Sequence, residues 1–284
     1  MKAGVGHSDQ LQELEFEALD IAGVPTRCHR SGSGQPLLLI HTLRTQIEYF
    51  ARIVPQLRER FEVHLLDLPG HGHSGAPATD YTADFFLGAV RAFAVQRNLK
   101  DFVAVGESIG GTLALALASE LKTVARVVAL NPFDYRGLGQ IGRRSLFTWV
   151  GFTGLRVPVI GRAVSELTPR WLLRSVLRGG LYDPSRLPEE LVDHLYDAGR
   201  RPGHARAFHS LCRAWNSWPE LRSRVRNVGT PITLVQGDHD WAPHAIQETD
   251  ARELAPRHLV HLKGCGHFSS LERPDEVVRA IAET

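Results

Sequence analysis

The stretch "VAVGESIGGTLALALA", residues 103–118, places one serine among three glycines. A β-branched run precedes this serine, and an alanine-rich run follows it. Because β-branched residues favour strands and alanine favours helices, Ser108 is predicted to lie at a sharp turn from a strand into a helix. Such a turn fits the G-x-S-x-G nucleophile elbow, which lifts a serine hydroxyl off the end of a sheet. The alternative is that Ser108 is only a small residue in a tight turn.

A serine hydroxyl becomes a nucleophile when a base takes its proton and an acid orients that base. The predicted base is His267, in the stretch "GCGHF" after an apolar run. The acid is predicted in "GDHD", where Asp238 and Asp240 both fit the turn, and Asp134 after "ALNP" is a third candidate. Serine, acid and base would then each follow the carboxyl end of a strand, which is where open parallel sheets form their ligand sites.

Alternating strands and helices are predicted along most of the chain to position these residues. Short apolar runs predict strands buried on both faces over 36–41, 61–69, 101–106, 125–132, 231–238 and 258–264. Helices are predicted between them at about 44–60, 82–98, 109–121, 243–254 and 274–283. This alternation predicts an α/β fold with a mostly parallel, doubly wound sheet. A leading hairpin is predicted over 14–32, with its turn at "AGVP".

The alternation breaks between residues 134 and 228. This stretch holds 16 arginines, 8 carboxylates and no lysine, a net charge of +8, and four of the five tryptophans of the chain. Amphipathic patterns predict short helices there, over 145–164, 169–177 and 188–196. We therefore predict a core of residues 1–133 and 229–284 with a helical cap, or lid, at 134–228 inserted between two core strands.

Composition narrows the class of protein. The 284 residues are 43% hydrophobic and 23% charged, as in ordinary globular proteins. No apolar run is long enough to span a bilayer, and the first 17 residues lack the apolar core of a signal peptide. Three scattered cysteines predict no disulfide framework and indicate a cytoplasmic location. Neither a metal nor another cofactor is predicted, and no nucleic-acid-binding module is recognisable.

With these motifs in order, the chain resembles serine hydrolases of the α/β-hydrolase fold, in particular capped esterase- and thioesterase-like members. The resemblance rests on "DLPGHGHSGAP" at 67–77 together with "GESIG", "GDHD" and "GCGHF", and it covers nearly the whole core. It implies Ser108 as the nucleophile, His267 as the base and Asp240, rather than Asp238, as the acid.

The resemblance also implies an oxyanion hole formed by the backbone amides of Leu43 and Ile109. One departure lies in the loop "HTLRT" at 41–45, where Thr42 replaces a glycine usual in the family. A β-branched residue restricts the backbone, so either this loop is shifted or Thr42 points into the site, with Arg44 at the mouth of the pocket. Glu107, beside the serine, is placed near the substrate in a positioning role.

The predicted function is cofactor-independent hydrolysis of an acyl ester, thioester or lactone of a largely apolar small molecule through an acyl-enzyme on Ser108. The elbow carries no aspartate, which disfavours dehalogenases and epoxide hydrolases. A lyase or eliminase, a carbon–carbon bond hydrolase, and a binding protein without catalysis stay open. The basic cap is consistent with a solvated lid surface, with an acyl carrier protein or coenzyme A thioester as partner, or with an acidic membrane surface.

Overall fold

The computed structural model describes residues 15–132, 166–225 and 228–283, and within them eight strands form one sheet. The strands are β1 (Phe16–Ile21), β2 (Val24–Ser31), β3 (Gln35–Ile40), β4 (Phe61–Leu66), β5 (Phe102–Glu107), β6 (Val124–Leu130), β7 (Ile232–Gly237) and β8 (His258–Leu262). Their order is β1-β2-β4-β3-β5-β6-β7-β8. Strand β2 pairs antiparallel with β1 and β4, and all other neighbours are parallel. The predicted α/β class and mostly parallel sheet are confirmed.

The predicted leading hairpin is formed by β1 and β2. Ala22 and Gly23 occupy its turn with φ of 53° and 83°. Two successive residues in the left-handed region match the right-handed twist of a two-residue hairpin. The Asp20 carboxylate accepts a 2.7 Å hydrogen bond from the Gly23 backbone N–H, which fixes the turn.

Strand β8 differs from its prediction, because it is not buried on both faces. Leu259 is 44% exposed, and His258 and His261 are also exposed. Strand β8 is the last in the sheet and has β7 as its one neighbour. The interior strand β5, by contrast, is buried along its whole length. Apolar composition alone therefore identified the strand but not its place at the edge.

Helices flank the sheet and follow the predicted alternation. The core contains α1 (Val54–Leu57), α2 (Ala83–Gln96), α3 (Ile109–Glu120), α8 (His244–Leu254), α9 (Ser269–Glu272) and α10 (Pro274–Glu283). The single helix predicted over 44–60 is wrong, since a 3-10 turn at Ile47–Phe50 and the short α1 replace it. Pro55 stands in the first turn of α1, and it has no N–H to continue a helix from the preceding residues.

The core has two apolar layers, one on each face of the sheet. Leu38 and Ile40 of β3 belong to the layer that includes α2 and α3. Leu37 and Leu39 belong to the opposite layer, which includes α10. Because successive side chains of a strand point to opposite faces, an unbroken apolar strand requires cover on both sides. This arrangement makes the sheet doubly wound.

The described part of the predicted cap is helical. It contains α4 (Arg170–Gly179), α5 (Glu189–Gly199), α6 (His204–Arg213) and α7 (Ser217–Arg224). Helices α4 and α5 correspond to the patterns at 169–177 and 188–196, whereas the pattern at 145–164 and the candidate Asp134 lie outside the described residues.

The last cap helix packs on the core. Trp218 of α7 stacks on Phe86 of α2 with ring centroids 6.1 Å apart. The Ser217 hydroxyl oxygen accepts a 2.8 Å hydrogen bond from the Ala83 backbone N–H. The end of the inserted segment is thus anchored to α2, while the boundaries 134 and 228 stay predictions.

Candidate active site

Ser108 stands at a strained turn between β5 and α3, with φ 56° and ψ −119°. A non-glycine residue in such a conformation costs about 1–3 kcal/mol and persists only where its surroundings hold it. The Ser108 backbone N–H donates to the Leu130 carbonyl at 3.0 Å. A Cβ on Gly106 would lie 2.1 Å from the Gly110 carbonyl oxygen, and one on Gly110 would lie 2.1 Å from that of Ile40. The glycines are therefore required by close backbone approach.

His267 and Asp240 meet directly, although they come from different loops. His267 Nδ1 is 2.5 Å from Asp240 Oδ1, and both side chains are buried. Because a carboxylate only accepts hydrogen bonds, Nδ1 carries the proton and Nε2 is left as the basic nitrogen of the neutral ring. The Trp241 ring stacks on the imidazole, with centroids 4.3 Å apart, and limits its rotation.

Asp238, the competing acid, has a different set of partners. Its carboxylate accepts hydrogen bonds from the Gly264 and Cys265 backbone N–H groups, at 3.0 and 3.1 Å, and from His239 Nδ1 at 2.7 Å. Burial acts to raise its pKa, but these donors outweigh burial and lower the pKa of Asp238 to about 2. Asp238 therefore fixes the start of the histidine loop, and Asp240 is the aspartate of this turn that contacts the imidazole.

Glu107 links the serine elbow to the histidine loop. It is completely buried, and its carboxylate accepts hydrogen bonds from the Tyr49 hydroxyl (2.7 Å), the Ser269 N–H and hydroxyl (2.5 and 2.6 Å) and the Ser270 N–H (3.3 Å). Burial raises the pKa of Glu107, whereas these donors and the nearby His267 act to lower it. Both carboxylate oxygens accept hydrogen bonds from the protein, so Glu107 connects these loops, and its place near the substrate stays a prediction.

Asn131 makes a second link to the histidine loop. Its side chain accepts a 2.8 Å hydrogen bond from the Gly237 N–H and donates to the carbonyls of Gly266 and His267 at 3.2 and 3.0 Å. The serine and histidine loops are thus held side by side. Among the described residues no hydrogen bond joins Ser108 Oγ to the His267 ring, a contact that in ligand-free enzymes often tightens only with substrate bound.

The loop "HTLRT" forms a tight turn after β3. The Thr42 carbonyl accepts from the Thr45 N–H at 3.2 Å and from the Thr45 hydroxyl at 2.9 Å. Leu43 and Arg44 are the central residues of this turn, and Arg44 has a left-handed φ of 59°. Thr42 is buried, and Arg44 lies against the Phe208 ring in the cap. The loop that carries Thr42 is thus a tight turn whose Arg44 side chain lies against the cap.

The two predicted oxyanion donors lie at the ends of elements that suit the role. Ile109 opens α3, so its backbone N–H is one of the helix donors without an intrahelical partner. The turn that carries Leu43 is fixed by His41, whose Nε2 accepts from the Leu68 N–H at 2.9 Å. Burial lowers the pKa of His41, which keeps the ring neutral and able to accept. Their role in stabilising an oxyanion stays a prediction.

Three supporting residues were missed by the sequence analysis. Trp241 directly follows Asp240, and its Nε1 donates to the Gly179 carbonyl of α4 at 3.0 Å, so it connects the acid turn to the cap. Asn131 is signalled only as a polar residue at the end of an apolar strand. Tyr49 gives no signal, since it is 58 positions from Glu107 in the sequence.

Searches for two other kinds of site gave no candidates within the described ranges. None of the helices there is long and apolar enough to cross a membrane. The described histidines, cysteines and carboxylates form no group of three or more that could hold a metal ion.

Comparison with known proteins assigns the family. The model of the alpha/beta hydrolase family matches residues 37–280, and the chain belongs to this family. The wild-type Cfl2 protein of Burkholderia cenocepacia superposes with a TM-score of 0.83, covering 95% of both chains at 19% identity, which shows the shared fold.

Two curated relatives define the class further. A pimeloyl-[acyl-carrier protein] methyl ester esterase of Stenotrophomonas maltophilia is 29% identical, over 88% of this chain and 93% of its own length. A 2-hydroxymuconate semialdehyde hydrolase of Pseudomonas sp. (strain CF600) is 24% identical, over 88% of this chain and 87% of its own length. Both are named as hydrolytic enzymes, and the prediction that the chain is a hydrolase is confirmed.

Proposed function

We propose that the protein hydrolyses an acyl ester, thioester or lactone of a small molecule through an acyl-enzyme on Ser108. The observation that carries the proposal is the 2.5 Å contact between Asp240 and His267 Nδ1. This contact leaves His267 Nε2 as the base. Glu107, next to the serine elbow, accepts a hydrogen bond from the Ser269 N–H and so connects the elbow to the loop of His267. The esterase name of the Stenotrophomonas maltophilia relative supports ester chemistry.

The reaction would proceed in two half-steps. Ser108 Oγ attacks the substrate carbonyl carbon while His267 Nε2 takes the hydroxyl proton, and Asp240 stabilises the resulting imidazolium. The backbone N–H groups of Leu43 and Ile109 donate to the oxyanion. The imidazolium returns its proton to the leaving alcohol or thiol. A water then attacks the acyl carbon while His267 Nε2 takes its proton, and His267 returns that proton to Ser108 Oγ as the bond between Oγ and the acyl carbon breaks. No proton or electron is gained or lost over the cycle.

The partner prediction is limited by the cap charges. Arg170, Arg174 and Arg178 of α4 form ion pairs with Glu189 of α5, and Arg170 also pairs with Asp193. These pairs neutralise part of the positive charge that favoured an anionic partner. An acyl carrier protein is nevertheless part of the substrate named for the Stenotrophomonas maltophilia relative, so a carrier-linked or coenzyme A-linked acyl group stays within the proposal.

Carbon–carbon bond hydrolysis is the second candidate. It is favoured by the relatives named 2-hydroxymuconate semialdehyde hydrolase and 2-hydroxy-6-oxo-2,4-heptadienoate hydrolase. The same base and oxyanion donors would serve either reaction. The cytoplasmic location also stays a proposal, consistent with Cys28, Cys212 and Cys265 being buried and in no disulfide among the described residues.

Covalent labelling and a substrate panel test the proposal. A fluorophosphonate probe should add one adduct at Ser108 by mass spectrometry, and p-nitrophenyl esters should be hydrolysed with a burst of p-nitrophenol. Ser108→Ala should abolish both. Ser119→Ala is the matched control, because Ser119 lies at the exposed far end of the same helix. Equal ester hydrolysis by wild type and Ser108→Ala would refute the acyl-enzyme, and cleavage of 2-hydroxymuconate semialdehyde faster than any ester would favour the second candidate.

A further inference from the structure

A cavity beside the turn at 42–45 has the chemistry of an anion site. It is a small concave space of about 20 Å³, partly open to solvent, between this turn, the loop at 70–72 and helices α5 and α6. The side chains that decide its character are Arg44, Gln46, His71, His204 and Phe208. No carboxylate lines it.

Among the residues that the structure describes, no carboxylate forms an ion pair with the guanidinium of Arg44. Its Cζ lies 4.4 Å from the centroid of the Phe208 ring. Within the described parts of the chain, no carboxylate and no carbonyl accepts a hydrogen bond from Arg44. Burial lowers the pKa of Arg44, which shows that the charge is partly removed from water. A ring face attracts the cation but occupies none of its five N–H donors, so the planar fork of the guanidinium is left open.

Neighbouring groups do not compensate this charge. Glu48, the nearest acid along the chain, is engaged by Arg27 through two hydrogen bonds of 2.7 Å. Burial lowers the pKa of His71 well below its usual value, and it also lowers that of His204. Both rings are therefore neutral at pH 7. Arg44 also lies at the end of α5 near Gly199, where the helix offers only a partial negative charge.

Gln46 supplies an independent sign of a missing partner. It is completely buried, and neither its Nε2 nor its Oε1 has a hydrogen-bond partner among the described residues. Buried amides without partners are destabilising and rare in folded proteins. Because Gln46 lines the same cavity as Arg44, an acceptor bound there could take hydrogen bonds from Gln46 Nε2 and from the guanidinium together.

The backbone connects this cavity to the reaction centre. Leu43, whose N–H is the predicted oxyanion donor, directly precedes Arg44 in the turn closed by the Thr42 carbonyl and Thr45. Arg44 has a left-handed φ of 59°, a conformation that glycine adopts at lower cost. The arginine side chain therefore leaves the turn one residue after the predicted oxyanion donor.

We propose that this cavity binds a carboxylate on the acyl part of the substrate, so that the enzyme prefers monoesters of short dicarboxylic acids over uncharged esters. This inference rests on the ester hydrolysis proposed above. Arg44 would engage the carboxylate through two N–H donors, the arrangement that a planar guanidinium favours. The distance from this cavity to the Ser108 hydroxyl would set the length of the preferred acyl chain.

The test compares matched esters on one enzyme. p-Nitrophenyl monoesters of succinate, glutarate, adipate and pimelate are each paired with the uncharged p-nitrophenyl acyl ester of equal chain length. Wild type should show a kcat/KM ratio of about 10- to 150-fold in favour of the carboxylate ester at one chain length, as expected for hydrogen bonds to a charged group. Arg44→Gln should reduce that ratio to about one. The ratio cancels any general loss of activity caused by disturbance of the turn.

A control and a binding measurement complete the test. Arg213→Gln removes the same charge from an exposed position on α6 and should keep the wild-type ratio. Calorimetric titration of glutarate should give binding that Arg44→Gln weakens at least tenfold and Arg213→Gln does not.

A ratio near one at every length, in an enzyme that hydrolyses the uncharged esters, overturns the inference and leaves the proposed function intact. Absence of all hydrolysis overturns the proposed function, and Arg44-dependent glutarate binding would then still support a carboxylate site. Glutarate binding that Arg44→Gln leaves unchanged overturns that site. Arg44-dependent binding without an ester preference overturns the substrate assignment and indicates a site for a free carboxylate.

Discussion

The two aspartates of the turn after β7 should fail in different ways when each is changed to asparagine. Asp240 contacts the His267 ring, whereas Asp238 accepts hydrogen bonds that fix the loop before it. We therefore expect Asp240→Asn to lose catalysis with little change in stability. We expect Asp238→Asn to lose stability and to retain most of its turnover once folded.

The magnitude for Asp240→Asn follows from the tautomer of the imidazole. Turned toward His267, an asparagine NH₂ would face Nδ1 and favour the ring form with its proton on Nε2, which cannot act as the base. The same substitution in a serine protease of similar geometry lowers kcat about 10⁴-fold, or roughly 5 kcal/mol of transition-state stabilisation. Asp240 and His267 are 2.5 Å apart and both side chains are buried, so we expect a loss of kcat of the same size here.

The magnitude for Asp238→Asn follows from the depressed pKa of Asp238. A fall from 3.8 to about 2 corresponds to roughly 2 kcal/mol, which is an upper bound, since a third of the side chain is exposed and solvent screens the charge. We expect a loss of about 1 kcal/mol at neutral pH. The contribution of a carboxylate with a lowered pKa is present above pH 3.8 and is lost as the pH falls toward 2. The amide introduced by Asp238→Asn does not titrate, so the stability difference between the two proteins should shrink over that interval.

Steady-state hydrolysis of p-nitrophenyl acetate and urea unfolding of the same preparations measure both effects. A thousandfold loss of kcat in Asp238→Asn, with more than a tenth of the activity left in Asp240→Asn, would show that the acid is wrongly assigned. Equal losses in both would show that the two carboxylates act as one unit.

Three further outcomes are expected. Glu107→Ala leaves the donors of Ser269 and its neighbours without an acceptor. Urea unfolding should therefore show a free energy of unfolding that is lower by about 3 kcal/mol or more. A decrease of less than about 1 kcal/mol would contradict the positioning role. Burial raises the pKa of Glu107 above 4.5, so the folded state favours the protonated form of this carboxyl group. Wild type should therefore be most stable relative to Glu107→Gln below pH 4.5, and should lose that advantage as the pH rises through the pKa of Glu107 in the folded state. Unfolding at several pH values measures this, and a stability difference between the two proteins that does not change with pH would contradict it. Gly110→Ala would place a Cβ 2.1 Å from the Ile40 carbonyl oxygen and should abolish probe labelling and activity. Gly88→Ala is the control, because a Cβ there meets nothing within 4 Å, and it should raise stability by about 0.5–1 kcal/mol. A fully active Gly110→Ala would show that the backbones do not approach this closely.

Local patterns were sufficient to predict the sheet and to single out Ser108 and His267 as candidates. Strands β3 to β7 are apolar on both faces because helices cover both sides of the sheet, so composition alone marks them. Ser108 was identifiable since close backbone approach at Gly106 and Gly110 leaves glycine as the residue that fits. Both signals appear in short stretches of sequence, although the Ile40 carbonyl that Gly110 approaches lies far away in the chain.

Contacts between distant segments were beyond local patterns. Asp238 and Asp240 share one turn, and only the position of His267, 27 residues from Asp240, distinguishes them. Glu107 was placed near substrate because it adjoins Ser108, but its partner Ser269 is 162 positions away. The cavity beside Arg44 depends on the packing of α5 and α6, which amphipathic patterns do not orient.

The three proposed catalytic residues depend on polar side chains, two of them buried and one partly exposed, that join the loops at the carboxyl edge of the sheet. Glu107 joins the serine elbow to the histidine loop, Asn131 joins that loop to the end of β7, and Asp238 joins it to the acid turn. Each partner is a backbone or hydroxyl group, so the loops are fixed at several points instead of through one catalytic contact. A reacting geometry that must hold within a fraction of an ångström requires such support. Removal of any one of these links should therefore lower kcat through displacement of His267, by far less than the loss of Asp240 does, because none of the three touches the reacting atoms.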